Sequence, residues 1–267
     1  MDLKDKLEVV VAGVKTRFRR LGKGSPMLAI SGLLGGDAMP AAEAASTTHE
    51  TYAPDPPGFR DSEPPSERLT MEFLAGRWKP EFHAEAIGRR AIVGLGFSAG
   101  ASALIQYAAT HPGAVEKLVL YEPIIRGREL PTWLKGFIVA TFIPGAASVI
   151  LKTAPHLAPL LPGVSEVSYK KRLRLVEGVR SPRCAGELGR SLLRCDLTQQ
   201  LTSLEIPVLI IRGDGKGGLV PPKTLEELSG RYISHMQLPG LRHFAGGSAQ
   251  VQIVEAAREF LQPSRHL

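Results

Sequence analysis

Apolar residues along this chain fall into two rhythms. Leu7–Gly13 (LEVVVAG) is a short apolar run, and Val14–Leu21 sets Val14, Thr16 and Phe18 against Lys15, Arg17 and Arg19. That period of two is the mark of a half-buried strand. Pro26–Ile30 (PMLAI), Ala91–Val93, Ala114–Leu120 (AVEKLVL) and Ile206–Arg212 (IPVLIIR) are short, nearly continuous apolar runs bounded by turn residues. They predict strands buried on both faces, and Ser234–Leu238 predicts one more. Elsewhere the spacing is helical: Ala38–Ser46, Ser66–Trp78 with an extension past Pro80 to Ala86, the run after Gly100, Lys223–Gly230 and Ala249–Leu261. In the last of these Val251, Val254, Ala257 and Phe260 or Leu261 share one face. Short apolar strands alternating with helices specify a mostly parallel sheet covered on both sides. From Ile124 to about Thr202 the pattern is helical, rich in proline and without a convincing strand. It reads as an insertion over the sheet's carboxyl edge, where ligands bind in such sheets.

One junction organises the rest. Ala91–Gly100 reads AIVGLGFSAG, and a helix-compatible run, ASALIQYAATHP, follows at once. A serine at the apex of a strand–turn–helix must hold a strained backbone so that its hydroxyl stands clear of the sheet. The residues two before and two after it must be small, so that strand and helix can approach. The pattern G-x-S-x-G meets both needs, with Ser98 at the apex. The amide of Ala99 then points where a tetrahedral oxyanion would form. The bland alternative is a glycine-rich turn with an idle serine.

Composition narrows the class. The 267 residues are 43% hydrophobic and 22% charged, as in a soluble globular protein with a sizeable core. The net charge of +7 comes from scattered lysines and arginines, with small clusters at Arg17–Arg20 and Lys170–Arg174. No basic helix with interleaved aromatics accompanies them, so no nucleic-acid partner is expected. Cys184 and Cys195 cannot build a disulfide framework and lack metal-ligand spacing; reduced thiols fit a cytoplasmic protein. The N-terminal MDLKDKLEVVVAG is not expected to be a signal peptide. The apolar run Gly136–Leu151 is too short to span a bilayer and is broken by Pro144-Gly145, so no stable membrane insertion is expected. No clustered ligand set suggests a metal, and no dinucleotide fingerprint follows an early strand, so no cofactor is expected.

Five segments together carry a resemblance: PMLAISGLLGG, APDPPGFRDS, GLGFSAG, the pair IPVLIIRGD…VPP, and LPGLRHF before a last helix. In order and spacing they resemble the α/β-hydrolase superfamily over nearly the whole chain. The resemblance implies an α/β fold: an eight-stranded, mostly parallel sheet flanked by helices, with a helical cap after the sixth strand. The core would be residues 1–123 and 203–267, and the cap 124–202. It also implies a serine–histidine–acid triad in that chain order and a backbone oxyanion hole, here Leu33 and Ala99. Two positions depart from the family pattern. Ser31-Gly32 stands where His-Gly is usual, and Lys216 stands where the acid after the seventh strand is usual.

The residues then sort by chemistry. A serine at the elbow points to acyl transfer; dehalogenases and epoxide hydrolases of this superfamily need a carboxylate there. His243, in a loop flanked by Gly240 and Gly246, is the expected general base, taking the Ser98 proton and returning it to the leaving group. Two carboxylates compete for the acid. Glu122 ends a buried strand beside the elbow, and Asp214 opens the loop Gly215, Lys216, Gly217, Gly218. The rigid position favours Glu122. Trp133, Phe137 and Phe142, with Leu134 and Ile138, either pack the cap onto the core or line an acyl pocket. The expected function is a cofactor-independent serine hydrolase acting on an ester, thioester or lactone-type bond of a small, largely apolar substrate. The alternative is a non-hydrolytic use of the same pocket, as a lyase or as a ligand-binding protein without turnover. Oligomeric state leaves no mark on the sequence.

Overall fold

Neighbouring residues of each central strand go to opposite sides of one sheet. Leu28 and Ile30, Leu118 and Leu120, Val208 and Ile210 join one buried cluster, while Met27 and Ala29, Val119 and Tyr121, Leu209 and Ile211 join a second. A strand buried on both faces has no polar side to show, which is why these runs carry no alternation in sequence. The computed structural model describes residues 6–32, 36–141, 146–157, 177–214, 218–243 and 247–262.

The strands are β1 (Leu7–Val11), β2 (Val14–Leu21), β3 (Ser25–Ile30), β4 (His49–Pro54), β5 (Ile92–Phe97), β6 (Val115–Tyr121), β7 (Val208–Gly213) and β8 (Ile233–Leu238). They form one eight-stranded sheet in the order β1-β2-β4-β3-β5-β6-β7-β8. β2 is antiparallel to β1 and β4, and the remaining pairs are parallel. From β3 the chain steps outward to β4 and then returns to β5 on the other side. The carboxyl ends of β3 and β5 therefore flank a topological switch point, the usual place for a ligand in an open α/β sheet.

Besides a 3₁₀ turn at Gly127–Glu129, ten helical segments are found among the described residues: α1 (Met39–Ala45), a long α2 from Met71 to Ile87, α3 (Ala99–Thr110), α4 (Thr132–Ala140), α5 (Ala146–Leu157), α6 (Pro182–Arg194), α7 (Thr198–Thr202), α8 (Pro222–Leu228), α9 (Gly247–Ala256) and α10 (Arg258–Leu261). Thr70 caps α2, its hydroxyl accepting the Phe73 amide at 3.1 Å. Within α2, π-helical turns at Leu74–Trp78 and His83–Ile87 alternate with α-helical pieces Met71–Phe73 and Lys79–Phe82. Pro80 has no N–H to donate, and its ring crowds the carbonyl four residues back, so a widened turn before it suits the sequence.

Three differences from the sequence expectation stand out. β4 is a full strand although it begins with His49, Glu50 and Thr51. Its polar side chains are answered from neighbouring elements: Thr51 donates to the Ala42 carbonyl at 3.1 Å, and Glu50 pairs with Arg20 and Arg90. The helix starting near Ser66 in sequence begins at Met71, because Thr70 is the cap. The last helix is two pieces that part at Ala257.

Between β6 and β7 the described residues form helices, turns and one isolated antiparallel bridge, Arg126 to Asp196. Residues of this stretch dock on the loop that follows β4. Arg60 N–H donates to the Gly178 carbonyl at 2.7 Å, and Ser181 N–H to the Gly58 carbonyl at 2.9 Å. α6 also meets the entry to α2 through Glu187 to Leu69 N–H at 2.9 Å and Ser191 to Met71 N–H at 3.0 Å.

Glycine sets how closely α3 crosses β5. A Cβ on Gly96 would lie 2.5 Å from the Ala101 Cα and 2.8 Å from its nitrogen, both backbone atoms. Gly96→Ala is therefore expected to destabilise the fold by about 1–3 kcal/mol through overpacking. Urea unfolding would show this as a lower midpoint at unchanged slope, and an unmoved midpoint would contradict the close approach.

Candidate active site

Ser98 links β5 to α3 with φ of 51° and ψ of −122°, a left-handed backbone that a non-glycine residue holds only under strain. The conformation is over-determined by its surroundings. Ser98 N–H donates to the Tyr121 carbonyl at 2.9 Å, while the Ser98 carbonyl accepts Ser102 N–H at 3.0 Å and opens α3. The residue is half-buried at the switch point, and Ala99 after it is the first residue of a 12-residue helix, with its amide free of the sheet ladder.

The loop after β3 presses against this turn. A Cβ on Gly100 would stand 2.4 Å from the Ser31 carbonyl oxygen, so glycine alone fits there. A Cβ on Gly32 would stand 3.1 Å from the Ser98 Cβ and 3.6 Å from its Oγ. Gly32 thus borders the serine hydroxyl even though Ser31 replaces the imidazole usual before it. Leu33, the second expected oxyanion donor, lies outside the described residues, as do Phe142 and Lys216.

His243 follows β8 in a loop that is fastened to the same strand ends. The Tyr121 hydroxyl donates to the Arg242 carbonyl at 2.7 Å. Burial raises the pKa of that phenol, which keeps it a donor. The Leu241 carbonyl crosses the end of β7 so closely that a Cβ on Gly213 would be 2.1 Å from its oxygen. Tyr121 therefore ties the elbow, through its backbone carbonyl, to the residue before His243, through its hydroxyl. The sequence reading passed over this tyrosine, whose only signal was its place at the end of β6. The Nδ1 atom of His243 is buried although the residue as a whole is half-buried. Desolvation lowers its pKa to about 4, so the imidazole is neutral at ordinary pH.

The two carboxylates differ sharply. Glu122 is fully buried, and its backbone is also left-handed, at φ of 46°. Its Oε1 accepts Gly213 N–H at 2.9 Å; its Oε2 accepts Leu219 N–H at 2.6 Å and Val220 N–H at 3.3 Å. Burial pushes its pKa up, and those three amides pull it back toward the ionised form. Glu122 thus gathers both ends of the loop after β7. Asp214 is exposed, and its Oδ1 accepts Gly240 N–H at 2.7 Å, in the turn three residues before His243. Trp133 is half-buried, whereas Phe137 and Leu134 pack against the main core cluster.

The other histidines illustrate structural roles: His83 bridges the Tyr107 hydroxyl at 2.6 Å and the Arg90 carbonyl at 2.7 Å. Both cysteines are free thiols. Among the described residues no group of three His, Cys, Asp or Glu could hold a metal ion, and no helix is long and apolar enough to cross a membrane.

A second residue missed in the sequence is Lys79. It is fully buried on α2, and desolvation lowers its pKa to about 7. The signal was its company: Ala75, Trp78 and Phe82 at helical spacing place it on a buried stripe.

Similarity to known proteins agrees with this layout. Among solved structures, an esterase from Thermogutta terrifontis superposes with a TM-score of 0.74 at 17% identity, over 96% of this chain and 97% of its own. Naproxen esterase (carboxylesterase NP) from Bacillus subtilis gives 0.72 at 14% identity, over 96% of this chain and 91% of its own. The Cif epoxide hydrolase from Acinetobacter nosocomialis gives 0.78 at 17% identity, over 98% of this chain and 91% of its own. At such identities the likeness speaks for the fold alone. No curated protein matches the chain in sequence. Residues 26–255 match the family model described as alpha/beta hydrolase fold, so the chain belongs to the α/β-hydrolase family.

Proposed function

We infer that this hydrolase-fold protein is a serine esterase, cleaving an ester, thioester or lactone-type bond of a small substrate through an acyl-enzyme. The observation that carries the reading is the strained elbow: Ser98 at φ of 51°, with Gly32 beside its hydroxyl and the Ala99 amide heading α3. His243 would take the hydroxyl proton as the oxygen attacks the acyl carbon, then return it to the leaving group. The negative oxygen of the intermediate would be met by the amides of Ala99 and Leu33. The burial that keeps His243 neutral also makes its cation costly, so the reaction needs a carboxylate to balance it; we assign that role to Glu122, which directly follows a buried strand beside the elbow. A serine elbow lacks the carboxylate nucleophile that epoxide opening requires in this fold. The insertion 124–202 would act as the cap over the core formed by residues 1–123 and 203–267.

The pH profile tests the base. Protonation removes the catalytic lone pair, so kcat/KM for p-nitrophenyl butyrate should persist as pH falls through 6.5 and drop only on approaching about 4. An acid limb at or above 6.5 would contradict a desolvated His243. Substrate size tests the pocket. Phe137 and Leu134 pack against the main core cluster, which leaves them unavailable to line a long acyl channel. Efficiency should therefore fall from butyrate to octanoate. A steady gain with each methylene, worth about 0.8 kcal/mol when buried, would instead favour a long apolar acyl channel lined by Trp133, Phe137 and Phe142.

A further inference from the structure

The cavity beside the elbow has a feature that ester cleavage does not use. Its lining includes Gly32, Ala99 and Gly100, the residues that frame Ser98, together with Phe59, Trp78 and Lys79. Lys79 is fully buried, and its Nζ has no hydrogen-bond partner among the described residues. The amine lies 5.5 Å from the centre of the Trp78 ring. Among the described residues no carboxylate is paired with it, and burial is the cause of its lowered pKa. A buried ammonium is tolerated when an anion meets it, and a buried neutral amine still has two N–H donors to satisfy. The other lining residues are mostly apolar and supply no acceptor of matching charge.

We propose that this cavity is a monocarboxylate subsite, in which Lys79 receives the terminal carboxylate of a short acyl chain whose carbonyl carbon is seated on Ser98. Lys79 is the single cation among the lining residues, which matches one negative charge. Gly32 is shared between the cavity and the serine hydroxyl, so one acyl chain can reach both. The substrate class that follows is the half-ester of a short dicarboxylic acid. This assignment of substrate rests on Ser98 being the nucleophile; the anion site itself does not.

Two measurements separate the site from its source of anion. Ser98→Ala protein is titrated with sodium formate at ionic strength held constant by sodium sulfate, and thermal unfolding is followed. A saturable rise in midpoint is expected, and it should vanish in Ser98→Ala/Lys79→Met. Methionine reaches as far as the lysine Cε and removes the buried amine, so this variant should fold; Lys79→Gln serves as a second one. No saturable rise, or an equal rise in the Lys79 variants, overturns the site. In the Ser98 enzyme, the ratio of kcat/KM for p-nitrophenyl hemisuccinate to that for p-nitrophenyl butyrate should fall at least tenfold in Lys79→Met. A formate response with an unchanged ratio overturns the substrate assignment and leaves a site for free monoanions. A formate response in a protein that turns over neither ester faults the reading of Ser98, not the anion site.

Discussion

Ser98→Ala is expected to lower p-nitrophenyl butyrate turnover by up to about 10⁶-fold while leaving the thermal midpoint nearly unchanged. The size of the loss follows from the way a triad works as a unit: without the nucleophile, only binding and oxyanion stabilisation remain. The stability expectation follows from the backbone. The strained turn is held by main-chain bonds, Ser98 N–H to Tyr121 and Ser102 N–H to Ser98, and none needs the hydroxyl. Alanine at φ of 51° is as strained as serine, so the turn neither gains nor loses. A loss of tenfold or less would mean that hydrolysis proceeds elsewhere.

Glu122→Gln should be the next most damaging change, lowering kcat by about 10³–10⁴ with little change in KM, as expected when the carboxylate behind a catalytic histidine loses its charge. Glutamine also turns one oxygen into an NH₂ group, which would face a backbone N–H of Gly213, Leu219 or Val220. The loop after β7 should loosen, and the thermal midpoint should fall as well. A comparison isolates the catalytic part. Asp214→Asn keeps an oxygen to accept Gly240 N–H, so it should retain near-normal turnover and stability. The reverse ranking would give the acid's role to Asp214. If both variants keep at least a tenth of wild-type turnover, a serine–histidine pair without an acid becomes the better description.

The elbow was legible because its requirements are local. Gly96 and Gly100 are needed where backbone meets backbone, and a strand–turn–helix records that need in five residues. The parallel core was legible for the same reason, since strands buried on both faces must be apolar throughout. β4 was not, because Glu50 and Thr51 find partners on β2, α1 and the residues before β5, which no local pattern reveals. Lys79 was hidden by its type: a lysine on a helix reads as solvated until its stripe is seen to face the core. The two carboxylates stayed ambiguous because their difference is tertiary. Both follow a strand, but only Glu122 is sealed beneath three amides, while Asp214 lies exposed and fastens the turn before His243. The break at Ala257 has no marker, as neither glycine nor proline stands there.

The central claim is that His243 activates Ser98 as a nucleophile, and a fluorophosphonate probe reports this without knowledge of the substrate. The phosphorus atom is attacked by an activated serine oxygen and fluoride leaves, so only a working pair is labelled. Peptide mass spectrometry of the treated protein should find one adduct, on Ser98, and none in Ser98→Ala or His243→Ala. Labelling that persists at full yield in Ser98→Ala, or an unlabelled Ser98 in the folded wild-type protein, would contradict it.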